Sequence, residues 1–249
     1  MTDNHKKRRN YLIATIILGS IVIFAIMYFF NPTSQITQGN PAENFQKRMD
    51  LQPFLIIAIF CLASMNFTIS RYKKLNSGIK GEENTQKLLS NLPDSYIVKS
   101  NIPLIHEGKR AEIDNLIIII SERALVIVET KNYSGRLYGS SDSTTWTQVK
   151  YSRSGHRYEK DLKNPIKQVN RQTWILSQIL KNNGICCWID SVVYLQQAEC
   201  DFEDKKLFTN PQMLVNYILT LGKPNSLSQK DIAKIQTILS NMKETMKNT

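Results

Sequence analysis

Two stretches of the chain carry no charged residue: 11–30 (YLIATIILGSIVIFAIMYFF) and 51–70 (LQPFLIIAIFCLASMNFTIS). Each matches the roughly 20 apolar residues an α-helix needs to cross bilayer hydrocarbon. Asn31-Pro32 reads as the stop of the first run and Pro53 as the opening of the second. The pattern therefore predicts two transmembrane helices, over about 11–30 and 53–70. Lys6, Lys7, Arg8 and Arg9 precede the first run, and Arg71, Lys73 and Lys74 follow the second. The connector 31–52 holds only Lys47 and Arg48, offset by Glu43 and Asp50. Positive charge gathers on the cytosolic side of membrane helices, so residues 1–74 read as a membrane anchor, a hairpin with both flanks cytosolic and the connector outside. A cleaved signal peptide fits less well, because the first run exceeds a 7–15-residue apolar region and no A-x-A-like site follows it. No Asp, Glu, Lys, Arg or His lies inside either run, so nothing suggests a proton or ion path.

Beyond residue 74 the apolar pattern changes period. Residues 78–92 repeat at helical spacing up to Pro93. A weakly alternating strand over 96–102 follows, then Ile- and Val-rich strands over 112–120 and 124–131, joined through Ser121-Glu122-Arg123. Continuous apolar runs of this kind belong to strands covered on both faces. Two further strands are expected over 135–139 and 144–151. Asn164-Pro165 offers an N-cap and a first-turn proline for a helix through Ile166, Val169, Thr173, Leu176 and Leu180, ended by Asn182-Asn183-Gly184. A buried strand over 187–195 and helices over 211–221 and 228–243 complete the chain. The order predicts an α/β domain over 75–249, a mixed sheet flanked by helices, preceded by the two-helix transmembrane hairpin.

Composition sharpens this only in part. The 249 residues carry 32 Lys+Arg and 21 Asp+Glu, a net charge of +11. Residues 71–249 hold 26 basic and 18 acidic residues, +8, which suits an anionic partner such as nucleic acid or lipid headgroups and equally an ordinary Lys-rich surface. The four cysteines lack metal-ligand spacing, and the adjacent Cys186–Cys187 pair is too close for a usual structural disulfide. Trp146, Trp174 and Trp188 are expected in the core. His106 and His156 are isolated. Lys150, Arg153, Arg157 and Lys160 form a basic stretch around an expected hairpin, suited to phosphate contacts or simply to solvent.

The informative chemistry is Glu112-Ile-Asp114 followed, one hairpin later, by Val128-Glu129-Thr130-Lys131-Asn132. Alternation along a strand puts Glu129 and Lys131 on one face and Thr130 on the other, with Asp114 on the partner strand. Carboxylates and an ammonium at the end of apolar strands are costly to bury without purpose. Oxygen ligands suit a hard divalent cation, and Mg²⁺ is typically held by one or two carboxylates plus substrate oxygens. The lysine can stabilise developing negative charge or help deprotonate an attacking water. That set is what metal-assisted phosphodiester hydrolysis requires.

Further pieces stand in a fixed order around it: Gly78-x-x-Gly81-Glu82 upstream, Val126 to Gly135 (VIVETKNYSG), Trp146, then Asn164-Pro165-Ile-Lys-Gln168 and Val192-Val-Tyr downstream. Together they resemble the nuclease-related domain (NERD) family of the PD-(D/E)xK nuclease superfamily, over about residues 78–195. The resemblance implies a restriction-endonuclease-like fold. It also implies Asp114 and Glu129 as ligands of Mg²⁺ or Mn²⁺, Lys131 as the catalytic lysine, and Glu82 as an added carboxylate. Gln168 would be the assisting residue of the later helix. Asn115 departs from the family, which often has histidine there. The expected function is a membrane-anchored, metal-dependent nuclease acting on DNA at the cytosolic face of the cell membrane. A catalytically inactive module of the same fold, binding nucleic acid or a protein, is the alternative.

Overall fold

The computed structural model describes residues 3–33, 41–221 and 227–245, and the side chains among them except those of 29–33, 41–51 and 245. The chain divides into two compact units, Met1–Ile79 and Lys80–Thr249.

The first unit is built on α1 (Asp3–Thr33) and α2 (Pro41–Leu89), which belongs to this unit as far as Ile79. Both helices are long and apolar enough to cross a membrane. They pair antiparallel. Arg8 Nη1 donates to Asn76 Oδ1 at 3.1 Å, the Thr15 and Thr68 hydroxyls meet at 2.9 Å, Gly19 faces Met65, and the Tyr28 and Phe54 rings lie 4.4 Å apart. That pairing brings the two basic clusters to one end. Phe24, Met27, Ile56 and Phe60 are each more than 60% exposed, an apolar surface of the kind that suits lipid or another protein.

The helix limits differ from expectation. Asn31-Pro32 does not stop α1, and Pro53 lies inside α2 rather than at its start. A proline lacks one backbone donor but need not end a helix when the flanking apolar sequence favours it. Of the expected connector 31–52, residues 31–33 and 41–52 are helical, and 34–40 lie outside the described residues. No break separates the second apolar run from the helix expected over 78–92. Gly78 and Gly81 are accommodated within α2, which ends only before Ser90 to Pro93.

In the second unit seven strands form one mixed sheet. They are β1 (Tyr96–His106), β2 (Lys109–Ile119), β3 (Ala124–Tyr138), β4 (Thr145–Tyr151), β5 (Arg157–Lys163), β6 (Ile189–Cys200) and β7 (Leu207–Phe208). β1 to β5 are joined as successive antiparallel neighbours, while β6 runs parallel to β3 and also pairs β7. Glu107 and Gly108, with φ of 47° and 74°, close β1 onto β2 in a two-residue turn with both central residues left-handed. On one face Leu125 and Ile127 pack with α3 (Pro165–Asn182) and α5 (Gln229–Thr245). On the other, Val126 and Val128 pack with Leu89 of α2 and with Leu214 and Ile218 of α4 (Pro211–Thr220). Helices on both faces account for the unbroken Ile/Val runs of β2 and β3.

Two strand expectations are corrected. Residues 135–139 are not a separate strand. Those up to Tyr138 continue β3 past an irregularity between Lys131 and Ser134, where β6 keeps pairing alongside. Residues 157–163 form an unforeseen strand, β5, whose exposed and charged sequence carries no apolar signal. Of the tryptophans only Trp146 is buried. Trp174 and Trp188 are 42% and 56% exposed.

Candidate functional site

β3 changes partners halfway along. Its pairing with β2 ends at Asn115↔Val128, and its pairing with β4 begins only at Arg136↔Val149. Between these points no strand ladder covers that edge of β3, which carries Glu129 and Lys131. A backbone donor left without a ladder needs another acceptor, and Asp114 supplies it: Thr130 N–H donates to Asp114 Oδ2 at 2.8 Å. β1 distorts at the same level. Asn101, at φ 53°, interrupts the β1–β2 register between Ser100↔Asn115 and Ile102↔Ile113, opposite Asp114. Asn tolerates the left-handed region better than most residues. The strands thus part at the centre of the sheet, leaving a gap between the β2 and β4 ladders.

The charged groups converge there. Glu129 is fully buried, and both of its oxygens are engaged. Lys131 Nζ donates to Oε1 at 2.5 Å and Gln172 Nε2 to Oε2 at 2.6 Å. Burial and the neighbouring Glu129 charge push the Asp114 carboxyl up to about 8, against the lowering pull of Lys131 and of the Thr130 N–H. Burial disfavours the Lys131 ammonium, but the Glu129 and Asp114 charges outweigh it and hold its pKa above the ordinary value. Lys131 is therefore a retained cation and not a base in the metal-free molecule.

Glu82 projects from the last part of α2. Burial first, and then the Glu112 and Glu129 charges, raise its carboxyl, while Lys131 lowers it, so it feels the same Glu129 and Lys131 charges as Asp114. Its placement depends on Gly81, where an added Cβ would lie 2.7 Å from Asn132 Cβ. Gln196 of β6 fastens this turn, donating from Nε2 to Gly81 O at 2.6 Å and to the buried Thr85 hydroxyl at 2.8 Å.

Gln168 lies on the exposed side of α3. The glutamine that reaches Glu129 is Gln172, one turn further along. It is buried and donates to Glu112 O at 2.7 Å as well as to Glu129. Gln172 was not singled out from the sequence. The available signal was its place in the apolar register of the helix, three residues after Val169 and three before Ile175, on the buried face. Asn115, also buried, accepts from the Ser100 hydroxyl at 2.7 Å.

Among the described residues no group of three or more His, Cys, Asp or Glu side chains is arranged to hold a metal ion. The oxygen groups that could hold one are Asp114 and Glu129, beside the buried Gln172 Oε1, which lacks a hydrogen-bond donor. Two carboxylates fit the ordinary protein share of an Mg²⁺ site, whose other ligands are water and substrate oxygens.

A central strand with an aspartate on its antiparallel neighbour, an E-x-K on itself and helices on both faces makes up a mixed α/β core. The family comparison agrees: residues 77–196 match the nuclease-related domain, so this segment of the chain is a NERD domain, placed generally in the PD-(D/E)xK superfamily. An uncharacterised protein of Bacillus anthracis is 31% identical over 134 residues, which are 53% of this chain and 62% of that protein. The chain thus spans less than two thirds of that relative. No solved structure matches.

Proposed function

We propose that the domain is a metal-dependent nuclease that hydrolyses phosphodiester bonds in DNA. The supporting observation is the convergence of Asp114, Glu129 and Lys131 in the gap between the β2 and β4 ladders. Asp114 and Glu129 would hold Mg²⁺ or Mn²⁺, which supplies Lewis-acid charge for the scissile phosphate and lowers the pKa of a bound water. The chain's own groups do the rest. Lys131, a permanent ammonium beside Glu129, stabilises negative charge developing on phosphate oxygens. Gln172 fixes the Glu129 carboxylate, and the Asp114 carboxylate is fixed by Thr130 N–H. Glu82 adds a carboxylate at the rim. The apolar helix pair would anchor this activity in the cell membrane, with the basic end of the hairpin and the nuclease domain in the cytosol.

One observation favours the rival, a module that binds nucleic acid or a protein without cutting. Both Glu129 oxygens are already engaged, so metal entry must rearrange the Lys131 contact. Incubating the purified full chain with linear, circular and single-stranded DNA and with RNA, in Mg²⁺, Mn²⁺ or EDTA, separates the two. Cleavage that needs the metal supports the nuclease. Binding without cleavage in either metal supports the module.

A further inference from the structure

Trp146 and Val149 of β4 are buried, yet the β4–β5 hairpin also carries two large aromatic side chains in solvent: Tyr151 and Tyr158 are 68% and 51% exposed. An open groove of about 610 Å³ runs beside them. Its lining includes Arg136 and Tyr138 from β3, Lys150 and Tyr151 from β4, Tyr158 from β5 and Glu199 from β6. The groove begins at Ser134, three residues beyond Lys131 on the same strand, or about 10 Å at the strand rise. Gly135 makes it possible. At φ 82°, with an added Cβ only 2.4 Å from Val149 O, this position lets β4 approach β3 as no larger residue could.

The charge around the groove is mainly positive. Residues 145–163 hold Lys150, Arg153, Arg157, Lys160 and Lys163 against Glu159 and Asp161. Arg136 faces Glu199 at 3.8 Å and Arg157 faces Glu159 at 2.5 Å, all well exposed, and exposed pairs of this kind yield readily to a competing anion. Lys150 has no carboxylate within ion-pair distance among the described residues. Cations alone would suit duplex and single strand alike. The rings decide between them, because bases inside a duplex are already stacked on one another, whereas unpaired bases gain by stacking on tyrosine.

We propose that this groove binds single-stranded nucleic acid, its bases stacked on Tyr151 and Tyr158 and its phosphates held by Lys150 and Arg136. On the nuclease reading above, on which this last step rests, the groove delivers unpaired strands to the Asp114–Glu129–Lys131 centre.

The test measures fluorescence anisotropy of labelled oligo(dT), oligo(U) and a duplex of equal length on the full chain in lipid nanodiscs, with EDTA present to prevent cleavage. Either single strand should bind more tightly than the duplex. Tyr151→Ala and Tyr158→Ala should each weaken single-strand binding about tenfold and leave duplex binding unchanged, whereas the Phe substitutions should retain it. Lys150→Gln should lower the salt dependence for both forms. Photo-crosslinking of 4-thiouridine-substituted oligo(U) to the unmodified chain should map to Tyr151 or Tyr158, a readout independent of how the variants fold. The proposal is overturned if the double alanine variant binds oligo(dT) like the wild type, if duplex binds as tightly as single strand, or if crosslinks map elsewhere. A chain that binds as described but cuts nothing in Mg²⁺ keeps the groove and loses the nuclease reading. One that cuts, with ring variants that bind normally, loses the groove alone.

Discussion

Asp114 and Glu129 lie on adjacent strands and share the influence of one ammonium, an arrangement that costs stability when no divalent cation is present. The cost has a defined pH course. Asp114 titrates near 8 in the folded chain against an ordinary 3.8, so the folded state binds its proton more tightly than the unfolded state. Stability from this group is therefore unaffected below about pH 4, falls as pH rises towards about 8, and levels off beyond. Asp114→Asn removes the titration. In EDTA its melting temperature should exceed that of the wild type by a margin that is absent near pH 4 and widens up to about pH 8. Thermal melts across that range check this, and a constant margin would contradict it. Gln168 and Gln172 of α3 separate in the same way. Gln172→Ala leaves Glu129 Oε2 and Glu112 O without their donor and should cost about 1–3 kcal/mol. Gln168→Ala, on the exposed side of the helix, should stay within about 0.5 kcal/mol. Denaturant titration of both variants reads the difference.

The elements show why some of this architecture was legible in the sequence and some was not. The start of α3 is a local matter. Asn164 Oδ1 accepts from Ile166 N at 2.8 Å, and Pro165 opens the helix, as the dipeptide alone predicts. Its Nδ2 also donates to the carbonyls of Ser140, Ser141 and Ser143, a long-range role that no local pattern announces. Asn164→Ala should accordingly cost about 2 kcal/mol, the upper end for a lost N-cap. Asn164→Asp, which keeps the acceptor and loses the donor, should recover part of that in an equilibrium unfolding experiment. Glu129 and Lys131 were legible because strand alternation is strict. The unity of β3 was not, because Gly135 and Gly139 resemble turn residues, and only the tertiary setting shows that their positive φ serves close packing on Val149 and Trp146. β5 was invisible for a different reason. Its pairing rests on backbone bonds to β4 while nearly every side chain faces water. Gln172 escaped notice because its acceptors lie 43 and 60 residues away in sequence.

At the scale of the whole molecule, the account makes a claim about topology and a claim about chemistry. The antiparallel α1–α2 pair brings Lys6 to Arg9 and Arg71 to Lys74 to one end, and the orientation proposed above, from the positive-inside bias, would put that end in the cytosol. Cys186 is exposed and serves as a native reporter for the domain. In intact cells an impermeant maleimide should label Ser34→Cys and should reach Cys186 only after permeabilisation; labelling of Cys186 in intact cells would contradict the orientation. The chemical claim rests on the pair Asp114 and Glu129 acting with Lys131, and a matched cleavage assay tests it most directly. Wild type, Asp114→Asn and Lys131→Ala, purified identically as full chains, are given the same DNA in Mg²⁺. The account predicts cleavage by the wild type, none by Asp114→Asn, and a rate lowered about 10²-fold or more in Lys131→Ala. Equal cleavage by the wild type and Asp114→Asn, or none by a folded, metal-supplied wild type, would contradict it.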